Sequence, residues 1–365
     1  TMTWRPAGPT SDFALSNASF TNTGTFNIET ADLDSNILEF TASTFTNASS
    51  GVINSQPLAG AVRINMPITN NGDLNVVNSD LFLDGSSLNT GSIDIASGAR
   101  ISVSNGVVLA LNAGTALSGL GTLELDGGAT LDVNAPVLVP AGFILLAIGP
   151  GTSLNVNAQL DVNGDLILDT VDLSLAADLV INGSADLLQS FLSTSNGSRL
   201  IVNAGGTLNL DGGATGTFLN ADVINDGFTA WAGGSLNSEQ TFFNNSVFAI
   251  QNLAAVGYGG EVGVFNNSGS VFVTNSTQVD IFISYVDAGG NLDIGSASSF
   301  GLGGVDLVLN SGMLGGDGSF EGSVINNGGT VNPGGSGTTG ILTINGDFTN
   351  TAGGFVEIDV NDDTG

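Results

Sequence analysis

The sequence predicts an all-β chain, a solenoid of short strands wound coil upon coil. Three observations carry that prediction. Runs of a few residues alternate apolar and polar, the period of a strand with one buried face. Clusters of Asn and Gly bound those runs, and both residues tolerate the positive φ that tight turns require. Like segments recur at irregular intervals, often of roughly 20 to 25 residues, the size of one solenoid coil.

The pattern is plainest from Gly322 to Val360, GSVINNGGTVNPGGSGTTGILTINGDFTNTAGGFVEIDV. Val324 and Ile325 precede Asn326-Asn327-Gly328-Gly329, and Val331 precedes Pro333-Gly334-Gly335. Ile341, Leu342 and Ile344 precede Asn345-Gly346-Asp347, and Phe355, Val356, Ile358 and Val360 form the last run. Short alternating runs between such clusters read as strands joined by tight turns.

From the start of the chain, residues 1–19 contain Trp4, Pro6 and Pro9 and break the pattern; they are expected to form an irregular leader or cap. Residues 20–365 are expected to form the solenoid. It opens with FTNTGTFNIET from Phe20 and FTASTFTNASSGVIN from Phe40. Asn-Gly-Asp followed by an apolar residue occurs at Asn71, Asn163 and Asn345. Between them lie the strand candidates GSIDI (91–95), ARISV (99–103), GTLELDGGATLDV (121–133), GGTLNLDGG (205–213) and GGNLDI (289–294). In each, Ile, Leu or Val recurs at every second residue. Ala176–Leu179 and Ala185–Leu192 could add a turn or two of helix or a further strand pair, so an insertion is placed near 176–200. Aromatic residues gather at Phe228, Trp231, Phe242, Phe243, Phe248, Tyr258 and Phe265. A solenoid grows along one axis without thickening its core, so 365 residues need not divide as a compact fold of that length would. About 15 coils at roughly 4.8 Å each would make a rod about 70 to 80 Å long.

Composition removes whole classes of function. The chain has 34 Asp plus Glu against four Arg, with no Lys and no His, for a net charge of −30. A surface so acidic has no basic contacts for nucleic-acid phosphates and none for anionic lipid. Without His or Cys, neither Ser-His-Asp nor Cys-His catalysis can be built, and imidazole or thiolate metal sites are excluded. Without Lys there is no Schiff base and no phosphate-loop lysine. The longest apolar run, Ala135 to Gly151, is short and interrupted by Pro136, Pro140 and Pro150, so direct membrane insertion is not expected. The first residues lack the charged start and apolar core of a secretory signal.

The stretch Gly328-Gly329-Thr330-Val331, Pro333-Gly334, Ser336, Gly340-Ile341-Leu342 and Asn345-Gly346-Asp347-Phe348, with Glu357 in the closing strand, resembles the passenger repeats of bacterial autotransporters and filamentous-haemagglutinin-like exoproteins. The resemblance covers about forty residues in its specific form. It implies a right-handed parallel β-helix, secreted or displayed at a bacterial cell surface, and structural or adhesive in role.

The expected function is therefore that of a non-catalytic extracellular protein. Its solenoid would join head to tail with copies of itself in a fibre or surface layer, or serve as an adhesin stalk. The candidate joint is Phe348, Phe355, Val356 and Ile358 at one end, against Trp4, Phe20 and Phe26 of the next copy. The alternative is a β-helix that binds or acts on polysaccharide at the cell surface or in the matrix, with Trp231 and Tyr258 as candidate sugar platforms. Carboxylate pairs such as Asp161 with Asp165, or Asp169 with Asp172, could in principle hydrolyse glycosides, but acidic residues on outward strand positions are the simpler reading. Rows of Thr that could bind ice or mineral are too irregular to favour that role. No cofactor is required. Calcium is a candidate ion, with Asp317, Asp362 and Asp363 as its weak candidate ligands.

Overall fold

The computed structural model describes residues 1–5, 12–29, 34–41, 43–57, 60–251, 256–259, 263–274, 278–335 and 337–360; the side chains of 34–36, 38–41 and 256–258 lie outside that description. Every regular element among the described residues is a β-strand, and none of them is a helix long and apolar enough to cross a membrane. The chain divides into two compact units, Thr1–Ala185 and Asp186–Gly365.

In the first unit each coil has three strands, and, apart from one break on the third face, each strand pairs in parallel with the strand three places later. On the first face the stack runs from Phe13–Ser16 through Asp34–Thr41, Ala61–Ile64, Asp80–Leu83, Arg100–Val103, Thr122–Leu125 and Ile144–Ile148 to Asp165–Asp169. On the second it runs from Ser19–Asn22 to Asp172–Leu175. The third face starts at Met2–Trp4 and continues through Thr25–Ile28, Val52–Ser55, Asp73–Val76 and Ser92–Ile95 to Ala116–Gly119, then resumes from Val137–Val139 to Leu179–Ile181.

The second unit repeats the plan. Its first face includes Thr207–Asp211, Asn291–Ile294, Met313–Gly316, Thr330–Pro333 and Phe355–Val356. Its second runs from Phe191–Thr194 to Thr343–Ile344. Its third has one sheet from Arg199–Val202 to Ser284–Asp287 and another of Leu307–Leu309, Val324–Asn326 and Phe348–Asn350. The fold is a parallel β-solenoid of about 15 coils, the all-β class that the strand period and turn residues predict.

Parallel stacking aligns like residues, so the core consists of rows. Leu81, Ile101, Leu123, Leu145 and Leu166 are successive register partners, and each is no more than 1% exposed. Leu208, Thr229, Phe248, Val271, Leu292, Leu314 and Val331 form a second such row, also buried. Each Leu, Ile, Val or Phe removed from water in this way contributes about 1.5–3 kcal/mol before conformational entropy is counted.

Turn glycines are fixed by the same stacking. A Cβ on Gly72 would lie 2.2 Å from the carbonyl oxygen of Gly51, and one on Gly91 would lie 2.0 Å from that of Gly72. Only a residue without a side chain allows the coils to approach this closely.

Two sequence expectations need correction. The first residues are not an irregular leader: Met2–Trp4 pairs in register with Phe26–Ile28, and Phe13–Ser16 pairs with the strand of Ile37. Those residues begin the first coil, with Pro6 and Pro9 outside the described residues. Residues 176–200 hold no insertion either. They form Leu179–Ile181, Ser184–Leu188, Phe191–Thr194 and the start of Arg199–Val202. Leu179, Ile181, Leu187, Leu192 and Leu200 are fully buried, so alternation toward the core overrides the helix propensity of Ala and Leu.

Candidate functional site

Inward-facing Asn residues end many of the strands and build hydrogen-bond ladders between coils. Asn22 Nδ2 donates to Asn47 Oδ1 at 2.8 Å, Asn47 to Asn70 at 2.7 Å, and Asn70 to Asn89 at 2.6 Å. The series closes on the Thr115 hydroxyl at 3.0 Å. Each of these amides, apart from Asn89, also donates to a backbone carbonyl of the following coil, those of Val52, Asp73 and Ser92. A second ladder runs Asn225 to Asn244 to Asn267, both steps 2.8 Å, and ends on the Tyr285 hydroxyl at 3.1 Å. A third joins Asn326 to Asn350 at 2.8 Å. Buried amides tolerate this environment because a neighbouring coil supplies their partners. The first rung of the second ladder shows the limit: Asn225 Oδ1 is buried without a partner, opposite Val202 of the coil before it.

Among the described residues the first and last coils have a neighbouring coil on one side, and their inward residues show it. Val324, Val331 and Phe320 are 0%, 3% and 0% exposed; their register partners Phe348 and Val356 are 42% and 45% exposed, and Ile344 is half-buried. Phe355, Ile358 and Val360 on the same edge are also exposed. In the first unit, Trp4, Phe13 and Phe20 are half-buried on the opening coil. Phe20 packs edge to face with Phe13 at 5.5 Å and with the buried Phe45 at 5.0 Å. Phe26 is fully buried among these rings, so it supports that edge from beneath and is not part of its surface.

The sugar-platform candidates fare differently. Trp231 is 0% exposed, and its indole N–H donates to the carbonyls of Gly233 and Gly234 at 3.2 and 3.0 Å, so it has no free face for a sugar. Its neighbours Phe242, Phe248 and Phe265 are equally buried and stack as core. Tyr258 lies on the strand Val256–Gly259 with its backbone opposite Leu236, and its side chain lies outside the described residues. Asp161, Asp165, Asp169 and Asp172 are divided over three successive strands, one on each of the three faces, rather than gathered in a cleft. Among the calcium candidates, Asp317 is exposed at a turn, whereas Asp362 and Asp363 lie outside the described residues. Among the described residues, no group of three or more Asp, Glu, His or Cys is placed to hold a metal.

Three features have no clear sequence signal. Arg100 bridges Asp80 at 2.6 Å and Glu124 at 2.7 Å on neighbouring coils, and these bonds raise its already high pKa further. Arg63 lies 3.9 Å over the Phe82 ring beside it. In the second unit, Phe282, Tyr285, Leu302, Val305 and Asp306 line a cavity of about 280 Å³, next to the break between the two sheets of the third face. Tyr285 is half-buried there, and desolvation raises its pKa. Desolvation also raises the pKa of Asp287, against opposing hydrogen bonds from the backbone of Gly289, Ser311 and Gly290.

No protein-family model matches the chain, and no curated protein matches it. Among solved structures it is similar to the crystal structure of the TibC-catalysed hyper-glycosylated TibA fragment 55–350, at 14% identity over 98% of each chain and with a TM-score of 0.26.

Proposed function

We propose that this chain is a non-catalytic structural protein of the bacterial cell surface or exterior. Its β-solenoid joins head to tail with copies of itself in a fibre or surface layer, or forms the stalk of an adhesin. What supports this reading is the stack of parallel coils with apolar rows inside, together with the exposure of the inward residues Phe348 and Val356 on the last described coil. Such an edge also presents unpaired backbone N–H and C=O groups, a template for another strand. The occupant that fits is a second copy's first coil, which offers Trp4, Phe13 and Phe20 in the same three-strand order. A contact between two different surfaces of one chain does not close on itself and so propagates.

The charge favours the same geometry. At −30, the lateral faces of two copies repel, while the coil edges are apolar. The absence of His, Cys and Lys supports a non-catalytic role. Sedimentation velocity over a wide concentration range, with electron microscopy of the same samples, tests the proposal. Oligomers that lengthen with concentration are expected; a chain that stays monomeric at high concentration would overturn the fibre.

A further inference from the structure

On the third face of the second unit, Phe242, Phe265 and Tyr285 are successive register partners on three neighbouring coils. Their rings stack face to face. Phe265 lies 5.3 Å from Phe242 at an interplanar angle of 12°, and Tyr285 lies 5.7 Å from Phe265 at 9°. Phe242 and Phe265 are 0% exposed, whereas Tyr285, the last ring of the stack, is half-buried. Asn267 donates to the Tyr285 hydroxyl at 3.1 Å and so fixes that ring. Beyond it, Ser284–Asp287 ends one sheet and Leu307–Leu309 starts the next, so no ladder draws the following coil onto this strand. Phe300 of that coil meets Tyr285 edge-on, at 6.4 Å.

The cavity of about 280 Å³ lies at this end of the stack. Residues 282–285 line it from one coil, and Leu302, Val305 and Asp306 line it from the next. The Phe282 ring rests on the backbone of the next coil: a Cβ on Gly303 would lie 2.5 Å from its Cδ1. Even so, Phe282 is 60% exposed and Val305 is 66% exposed, an apolar surface gathered around a hollow. The lining also holds a charge, the exposed carboxylate of Asp306. The chain has no Lys and no Arg beyond Arg199, so no cationic side chain of the later sequence competes for that carboxylate.

We propose that this cavity binds a small planar aromatic cation, whose ring extends the Phe242–Phe265–Tyr285 stack and whose ammonium lies beside Asp306. Rings attract one another in stacked geometry, and an ammonium is also drawn to an exposed face such as that of Phe282. A cavity of about 150 Å³ is enough for benzene, so about 280 Å³ leaves room for a two-ring ligand with a short amine arm. A net charge of −30 turns away the corresponding anion. The inference is independent of head-to-tail joining.

Isothermal titration of the full chain with tryptamine, indole, indole-3-acetate and butylamine, in about 0.15 M salt to screen loose surface binding, tests it. One saturable site per chain is expected for tryptamine, a weaker one for indole, and none for indole-3-acetate or butylamine. Asp306→Asn should weaken tryptamine about threefold and leave indole unchanged. Val305→Trp should fill the cavity and abolish both, while Asp161→Asn changes neither. Val305 and Asp306 are exposed, so both variants keep the fold, which the thermal midpoint checks. No saturable site for tryptamine, butylamine binding as tightly as tryptamine, or tryptamine binding that Val305→Trp leaves intact would overturn the proposal.

Discussion

A buried Asn in this fold is stable only because the next coil repeats it. Asn244 accepts from Asn225 and donates to Asn267 Oδ1 and the Ser270 carbonyl. Asn244→Ala strands the Asn267 oxygen in a dry interior, and a loss of about 2 to 3 kcal/mol is expected in urea unfolding. Asn157 makes the same kind of bond to Asn134 in water, so Asn157→Ala should change stability by no more than about 0.5 kcal/mol. Asp287 gives a pH test. Burial raises its pKa, so the folded chain holds this proton more tightly than the unfolded chain. The stability it contributes is fully present below the ordinary carboxylate value of about 3.9 and is lost as pH rises through the raised folded value. Acid also relieves the repulsion among the other carboxylates, so the informative quantity is a difference. The urea midpoint of Asp287→Asn should vary less between pH 4 and 7 than that of the parent chain. At this scale the sequence was partly legible. Asn stacking follows from the turn grammar, but which Asn faces inward depends on the register. Trp231 looked like an exposed platform because its type is common at sugar sites; its place on an inward strand position decided otherwise.

At the scale of the element, the turn glycines report directly on coil stacking. Gly24, Gly51, Gly72 and Gly91 each lead into a strand of the third face, at Thr25, Val52, Asp73 and Ser92. A Cβ on Gly24 would meet nothing within 4 Å, while one on Gly72 would collide with the Gly51 and Ala48 carbonyls at 2.2 and 2.3 Å. Gly72→Ala should therefore cost at least about 2 kcal/mol, and Gly24→Ala close to nothing, in the same urea assay. The strands themselves were legible because period-2 alternation is local. Residues 176–200 are ambiguous in sequence because Ala, Asp and Leu also suit a helix, and the coils on either side hold that segment extended. The first coil was missed for a related reason: Met2, Trp4, Phe13 and Leu15 alternate too briefly to register as strands, and pairing with Phe26 and Ile37 defines them.

At the scale of the molecule, the period of the repeat predicts the solenoid, whereas the cavity lined by Phe282, Tyr285, Leu302 and Val305 draws on separate segments and has no contiguous motif. In the proposed fibre, the last coil of one copy receives the first coil of the next. Continuing the ladders of the third face sets Phe348 against Met2, Thr349 against Thr3 and Asn350 against Trp4, with both Thr side chains outward and exposed. The chain has no Cys, so single thiols can be placed without background. The most direct measurement is oxidative cross-linking of a Thr3→Cys variant mixed with a Thr349→Cys variant. Head-to-tail joining should give a covalent dimer in the mixture in large excess over either variant alone, and a double variant should give a ladder of longer species. Equal cross-linking in the mixture and in the separate variants, or none in any of them, would contradict it.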